Sequence, residues 1–283
     1  MFNGDNSHVD PSIDSPKPKR AVSEEWQEIL PSDDDATPST ISDDAIAGHS
    51  SRGPGIPPDA FQTEDWVTRD KQQRLLAFLN YVDPVDNRYG VTKVPPSATW
   101  GGDGNLAKVM RFNNELVTVW IPGVVATKWF INLKGEPQNR VHISVQPLRD
   151  VDKEASLDLL RRSSPFIEPK AGPIYAGKLM TQWVKGSDKP IVKPFEEFFD
   201  ATTHFRQKRL MKRLKQSDIG YGDIVLVECN LTRWKTGENK SEAEWVEWKT
   251  AFDLISVCLL ESAPEGTLLP VFSSAKDTTD VCL

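Results

Sequence analysis

Cysteine is scarce in this 283-residue chain. Only Cys229, Cys258 and Cys282 occur. An odd count behind a polar start points to free thiols in a reducing compartment, not to a disulfide framework. Histidine is nearly as scarce. His8, His49, His142 and His204 lie far apart, and no CxxC, HxxxH or HxE spacing exists, so no metal and no cofactor is expected. No run of about 18 apolar residues is present, which argues against a membrane-spanning helix. Met1 to Arg20 has no apolar core and does not read as a secretory leader. The Gly101-Gly102-Asp103-Gly104 stretch lacks the GK[ST] of a phosphate-binding loop and reads as a flexible loop. Neither a nucleophile elbow nor a kinase motif set is found. These absences make a non-enzymatic protein the expectation. Only an enzyme whose His142 or His204 meets a distant carboxylate in space would escape such a survey.

Charge, by contrast, is plentiful and unevenly placed. Residues 1–65 hold 4 Lys/Arg against 14 Asp/Glu, residues 66–260 hold 29 against 23, and residues 261–283 hold 1 against 4. The overall −7 therefore comes from the ends, and the middle is mildly basic. Residues 1–60, rich in Ser, Asp and Pro, are too poor in apolar side chains to offset ordering entropy, so a disordered acidic arm is expected. A globular β-rich domain over 61–262 and a flexible tail over 263–283 complete the expected layout. One island interrupts the arm. Trp26, Ile29 and Leu30 fall at helical spacing between Ser23 and Pro31, as a partner-binding turn would, although a chance cluster accounts for them equally well. Ser32 and Thr40 each have an acid three residues on, a pattern that suits acid-directed phosphorylation.

Apolar spacing predicts a helix over Thr63–Val82 and a shorter one over Asp150–Arg162. Strands are predicted over Leu106–Phe112, Glu115–Ile121 (turned by Pro122-Gly123), Thr127–Leu133, Arg140–Val145 and Ile174–Val184. Pro194–Lys215 reads as helical, aromatic first and basic after. A long hairpin closes the domain, Asp223–Trp234 against Trp245–Leu260. On its buried face Val225, Val227, Cys229 and Leu231 meet Trp248, Phe252, Leu254 and Cys258, with Cys229 and Cys258 facing each other. The sum is an α+β fold: a curved antiparallel sheet or partly open OB-like β-barrel with two or three helices behind an acidic arm.

Two features carry binding chemistry. The run Arg206-Gln207-Lys208-Arg209-Leu210-Met211-Lys212-Arg213-Leu214-Lys215 has six positive charges and no negative one. On a helix it would offer a cationic face to phosphates, or simply to water. With Pro16-Lys17-Pro18-Lys19-Arg20 it also suits nuclear import. Second, several of the nine tryptophans sit beside cations: Trp129 after Lys128, Trp183 before Lys185, and Trp234 between Arg233 and Lys235. Aromatic rings beside cations make stacking platforms for single-stranded nucleic acid, though strand tryptophans are more often core.

The segment Gly222-Asp223-Ile224-Val225-Leu226-Val227-Glu228, continued by Arg233-Trp234-Lys235, and the segment Trp245-Val246-Glu247-Trp248 through Phe252-Asp253-Leu254 together resemble a group of uncharacterised proteins of mushroom-forming fungi. There a GD-V-VE-x-x-x-x-R-[WY] strand and a W-x-x-[WF]-x-x-x-F-[ED]-L strand recur. The resemblance covers about a tenth of the chain. It implies a eukaryotic, non-secreted setting and carries no activity. The expectation is thus an intracellular module, nuclear if the basic runs act as import signals. Such a module would bind single-stranded nucleic acid through Arg206, Lys208, Arg209, Lys212, Arg213, Lys215, Arg233, Trp234 and Lys235. The alternatives are a scaffold recruiting a protein through Trp26, Ile29 and Leu30, and an unrecognised enzyme.

Overall fold

Thr118–Ile131 forms one 14-residue strand, β1. The turn expected at Pro122-Gly123 does not occur. Val125 donates to the carbonyl of Asp223 and accepts from Gly222, so by strand alternation Pro122 points its nitrogen to the opposite edge. There, pairing begins only at Gly123↔Pro147, and the missing N–H is not called upon. The computed structural model describes residues 57, 59–62, 65–102, 104, 106–132, 134–162, 172–182, 190–236 and 247–267, all within one compact unit. The island at Trp26, Ile29 and Leu30, the tail from 268, and Trp183 lie outside the described residues.

The other long strands are β2 (Pro137–Pro147), β3 (Ile174–Leu179), β4 (Ile224–Thr236) and β5 (Glu247–Glu261). β1 pairs antiparallel with β2, β2 with β3, β4 with β5, and β4 again with β1. β3 and β5 run parallel. These five pairings close a ring. Following the register from Lys128 through Ile143, Ala176 and Phe252 to Leu231 leads back to β1 beside Thr118, about ten residues upstream. Such a stagger is what tilts the strands of a small barrel. The result is the OB-like barrel expected, in a mixed sheet and not a wholly antiparallel one. The short strands Arg88–Gly90 and Phe198–Asp200 add further parallel pairings to β1 and β5.

Closure requires β1 to serve two neighbours. Its first half pairs with β4 and its second half with β2. A bulge between Val125 and Thr127 bends it. At Gly123 the backbones approach so closely that a Cβ would lie 2.7 Å from the Gln146 carbonyl oxygen and 2.9 Å from Val145 Cβ.

Alternation then sorts the side chains. Val119, Ile121, Val125, Val141, Ile143, Val145, Ile174, Ala176, Val225, Val227, Cys229, Leu231, Phe252 and Leu254 fill the interior. A second bulge lies in β5, where Glu228 pairs with Ser256 but Cys229 with Leu254. It reverses the parity beyond Ile255, so Val257 and Leu259 point inward and Cys258 outward. Cys229 and Cys258 therefore occupy opposite faces, contrary to the sequence expectation. Outside, Cys258 joins Trp120, Leu226 and Leu260 beneath Leu75, Phe78 and Leu79 of helix α1 (Arg69–Leu79). Helix α2 (Asp150–Arg161) sends Leu157 and Leu159 into the inner core. Its start is held by a buried Arg149–Asp152 pair at 2.8 Å.

Gly123→Ala should lower stability by about 1–3 kcal/mol, because backbone must move to admit the methyl group. Gly102→Ala, with nothing within 4 Å of its added Cβ, should change little by comparison. Urea unfolding midpoints of the two variants test this difference.

Candidate functional site

The basic run does not form the expected α-helix. Phe198–Asp200 lies parallel to β5, Arg213 bridges Phe199, and a single 3-10 turn spans Lys208–Leu210. Backbone bonds from Asp200 N–H to the Lys212 carbonyl and from Leu214 N–H to the Phe198 carbonyl stitch the two segments together. The reason lies in what Met211 and Leu214 must reach. Met211 belongs to the outer core and Leu214 packs against the inner one. Residues three apart fall on one side of a helix but on opposite sides of an extended chain. Leu210, which a helix would have packed inward with Met211 and Leu214, is exposed.

Packing also takes up part of the run's charge. Lys208 pairs with the buried carboxylate of Glu228, which also accepts the Ser256 hydroxyl. Arg213 pairs with Glu197 at 3.5 Å and lies over the Phe199 ring. Arg206, Arg209, Lys212 and Lys215 remain exposed. At the far end of β4, Arg233 is not open to phosphate. Its guanidinium is sandwiched between the rings of Trp100 and Trp248, 4.6 and 4.0 Å from their centroids, and donates to the Ala107 carbonyl at 2.7 Å. Burial lowers its pKa. Trp234, on the opposite face of the strand, is 41% exposed. The side chain of Lys235 lies outside the described residues.

The tryptophans divide by strand parity. Trp120 is fully buried, stacked on Tyr81 at 4.0 Å. Trp129 is 46% exposed. Its neighbour Lys128 points the other way, donating to the Gln216 and Ile219 carbonyls and lying over Tyr221.

Trp129 opens onto a bare outer surface made by β1, β2 and β3. Val141, Ile143 and Val145 point inward, so Arg140, His142 and Ser144 point out, although Ser144 is buried with its hydroxyl bonded to that of Thr127. Ile174 and Ala176 point inward, so Tyr175 and Gly177 point out. Register places Trp129 beside His142, and His142 beside Gly177. The Trp129 and His142 rings are nearly parallel, with centroids 6.4 Å apart, and Tyr175 stands 6.3 Å beyond His142. Tyr175 is 55% exposed. Burial lowers the His142 pKa, favouring the uncharged imidazole. Ile131 and Leu179 extend the apolar surface, and Arg140 sits opposite Leu179. The strip continues around the barrel through β5 and β4. Asp253 lies beside Gly177 and Asn230, while Lys249 lies beside Trp234.

No protein-family model matches the chain, and no curated protein matches it. Among solved structures, it is similar to the crystal structure of gp2.5, a single-stranded DNA binding protein encoded by bacteriophage T7. That likeness has a TM-score of 0.34 at 14% identity and covers 54% of this chain and 90% of that one. At that score the likeness carries no weight for function. Among the described residues no cluster of three or more His, Cys, Asp or Glu could hold a metal ion. No helix among them is long and apolar enough to cross a membrane.

The aromatic line was only partly readable beforehand. Trp129 stands out beside Lys128, and His142 as an isolated histidine. Tyr175 gives no signal except its place out of phase with Ile174 and Ala176, and nothing local in sequence links the three. If Lys208 is structural, Lys208→Met should destabilise the fold by about 1–3 kcal/mol, since Glu228 loses its counter-charge while buried. Arg206→Ala should stay within about 0.5 kcal/mol. Denaturant melts that give equal midpoints for the two variants would show that Lys208 has no such role.

Proposed function

We propose that this chain binds single-stranded nucleic acid on the bare outer surface of β1, β2 and β3. The observation that carries the reading is the line across three adjacent strands of exposed Trp129, half-buried His142 and exposed Tyr175. An aromatic row left in water costs hydrophobic free energy, which a ligand with flat faces recovers. Unpaired bases offer such faces, each worth roughly 1–3 kcal/mol on an aromatic side chain, whereas a duplex hides them. Arg140 and Lys249 stand on the same strip, and Trp234 lies farther along it. Uncharged, His142 can stack without the cost of stripping water from a charge. In OB-type barrels the face of the second and third strands is also where oligonucleotides are accommodated.

On this reading the cations remaining on the 206–215 run supply long-range attraction, not the seat of the bases. Anisotropy of a labelled oligothymidylate tests the division. Trp129→Ala and Tyr175→Ala should each weaken binding roughly 5- to 100-fold. Joint reversal of Arg206, Arg209, Lys212 and Lys215 to Glu should flatten the salt dependence and cost less. Abolition by the charge reversal alone, with both aromatic variants unaffected, would move the site to the basic run. No binding at micromolar protein and low salt would reject nucleic acid altogether.

A further inference from the structure

Among the described side chains one acid stands on the strip. Asp253 lies on the outer face of β5, between the fully buried Phe252 and Leu254. Its register partner on β3 is Gly177, whose partner on β2 is His142. Glycine leaves the floor between His142 and Asp253 without a side chain. Two strand spacings separate their backbones, about 10 Å. Trp129 and Tyr175 flank His142. The result is a flat bay with aromatic rings on one side and a carboxylate on the other.

That carboxylate is costly where it stands. Burial raises its pKa, opposed only by the field of Lys178, whose ammonium is bonded to the Leu254 carbonyl at 3.0 Å. Among the described residues no hydrogen bond or ion pair reaches the Asp253 carboxylate. It is half out of water without a donor, and it would repel phosphates. A base lying over Gly177 would bring donors to it. An ionised carboxylate only accepts hydrogen bonds, through two oxygens. Guanine matches this best, because its ring N1–H and exocyclic amine lie side by side on one edge. Adenine and cytosine place an amine next to an acceptor nitrogen, and thymine flanks its one N–H with two carbonyls.

We infer that Asp253 makes the bay over Gly177 a guanine-selective subsite of the proposed single-strand surface. This rests on the nucleic-acid reading above, and the experiment separates the two. Three labelled single strands of equal length are compared: oligothymidylate, thymidylate interspersed with 7-deazaguanine (which prevents quadruplexes), and the same strand with 7-deazahypoxanthine, lacking the exocyclic amine. The 7-deazaguanine strand should bind roughly 5- to 100-fold tighter than oligothymidylate, with the amine-free strand between them. Asp253→Asn should remove most of that preference and leave oligothymidylate binding equal or tighter, because a negative charge has gone. Gly177→Ala serves as the second variant. Its Cβ would sit 3.1 Å from the Val141 carbonyl oxygen and intrude on the floor, so it should weaken the 7-deazaguanine strand more than oligothymidylate. Equal affinity of the wild-type protein for all three strands, or a preference that survives Asp253→Asn, would overturn the guanine subsite alone. Failure to bind any of the strands would overturn the binding reading and the subsite with it.

Discussion

A strand that pairs with one neighbour along its first half and with another along its second has to bend where the two meet. In β1 that bend falls between Gly123 and Thr127, where the backbone of β2 leaves no room for a side chain on Gly123 and one extra residue is accommodated at Ala126. The barrel depends on it. Without the bend β1 would continue in one sheet, and the ring through β2, β3, β5 and β4 would stay open. Once closed, the ring has one interior and an outer surface on which two regions meet different fates. The outer side of β4 at Ile224–Glu228, of β5 at Ser256–Leu260 and of the first half of β1 lies under α1 and the Phe198–Leu214 segment. The outer side of β2, β3 and the second half of β1 carries Trp129, Tyr175 and Leu179 in contact with water.

Positive charge is distributed by the same geometry. Lys128, Lys178 and Arg233 all begin on strands and all end bonded to backbone carbonyls. Lys208 neutralises Glu228 on the covered side of β4. In each case the cation satisfies an acceptor that closure has taken from water, and doing so costs less than leaving that acceptor unpaired. A count of Lys and Arg along the chain therefore overstates the cations available to a ligand. What remains on the bare surface is modest in charge and rich in rings, the character of a surface that grips by stacking more than by attraction at a distance.

Much of the barrel was legible. Asn113 and Asn114 mark a tight turn and both adopt positive φ. The final hairpin has the predicted inward set up to Leu254, because alternation with one buried face leaves a single workable register. Three features were not. Pro122 was read as a stop, since its harmlessness depends on which edge of β1 lacks a partner. Cys258 was assigned to the wrong face, because a bulge opposite Glu228 has no composition cue. The 206–215 run was read as part of a helix over Pro194–Lys215, yet the edge of β5 and two separate cores claimed it as extended chain.

Local chemistry, then, was enough to determine which long strands alternate, that Asn113-Asn114 turns, and that the acidic ends differ from a basic middle. Those properties are carried by residues close in sequence, where period and turn preference act. Only the tertiary structure decided which side of each strand faces water once the ring is closed. Trp129, His142, Tyr175 and Asp253 come from four different strands, and a side chain's neighbours across a sheet are set by register between distant segments. Neither a bulge nor a parallel pairing between β3 and β5 leaves a mark on the sequence of either strand alone.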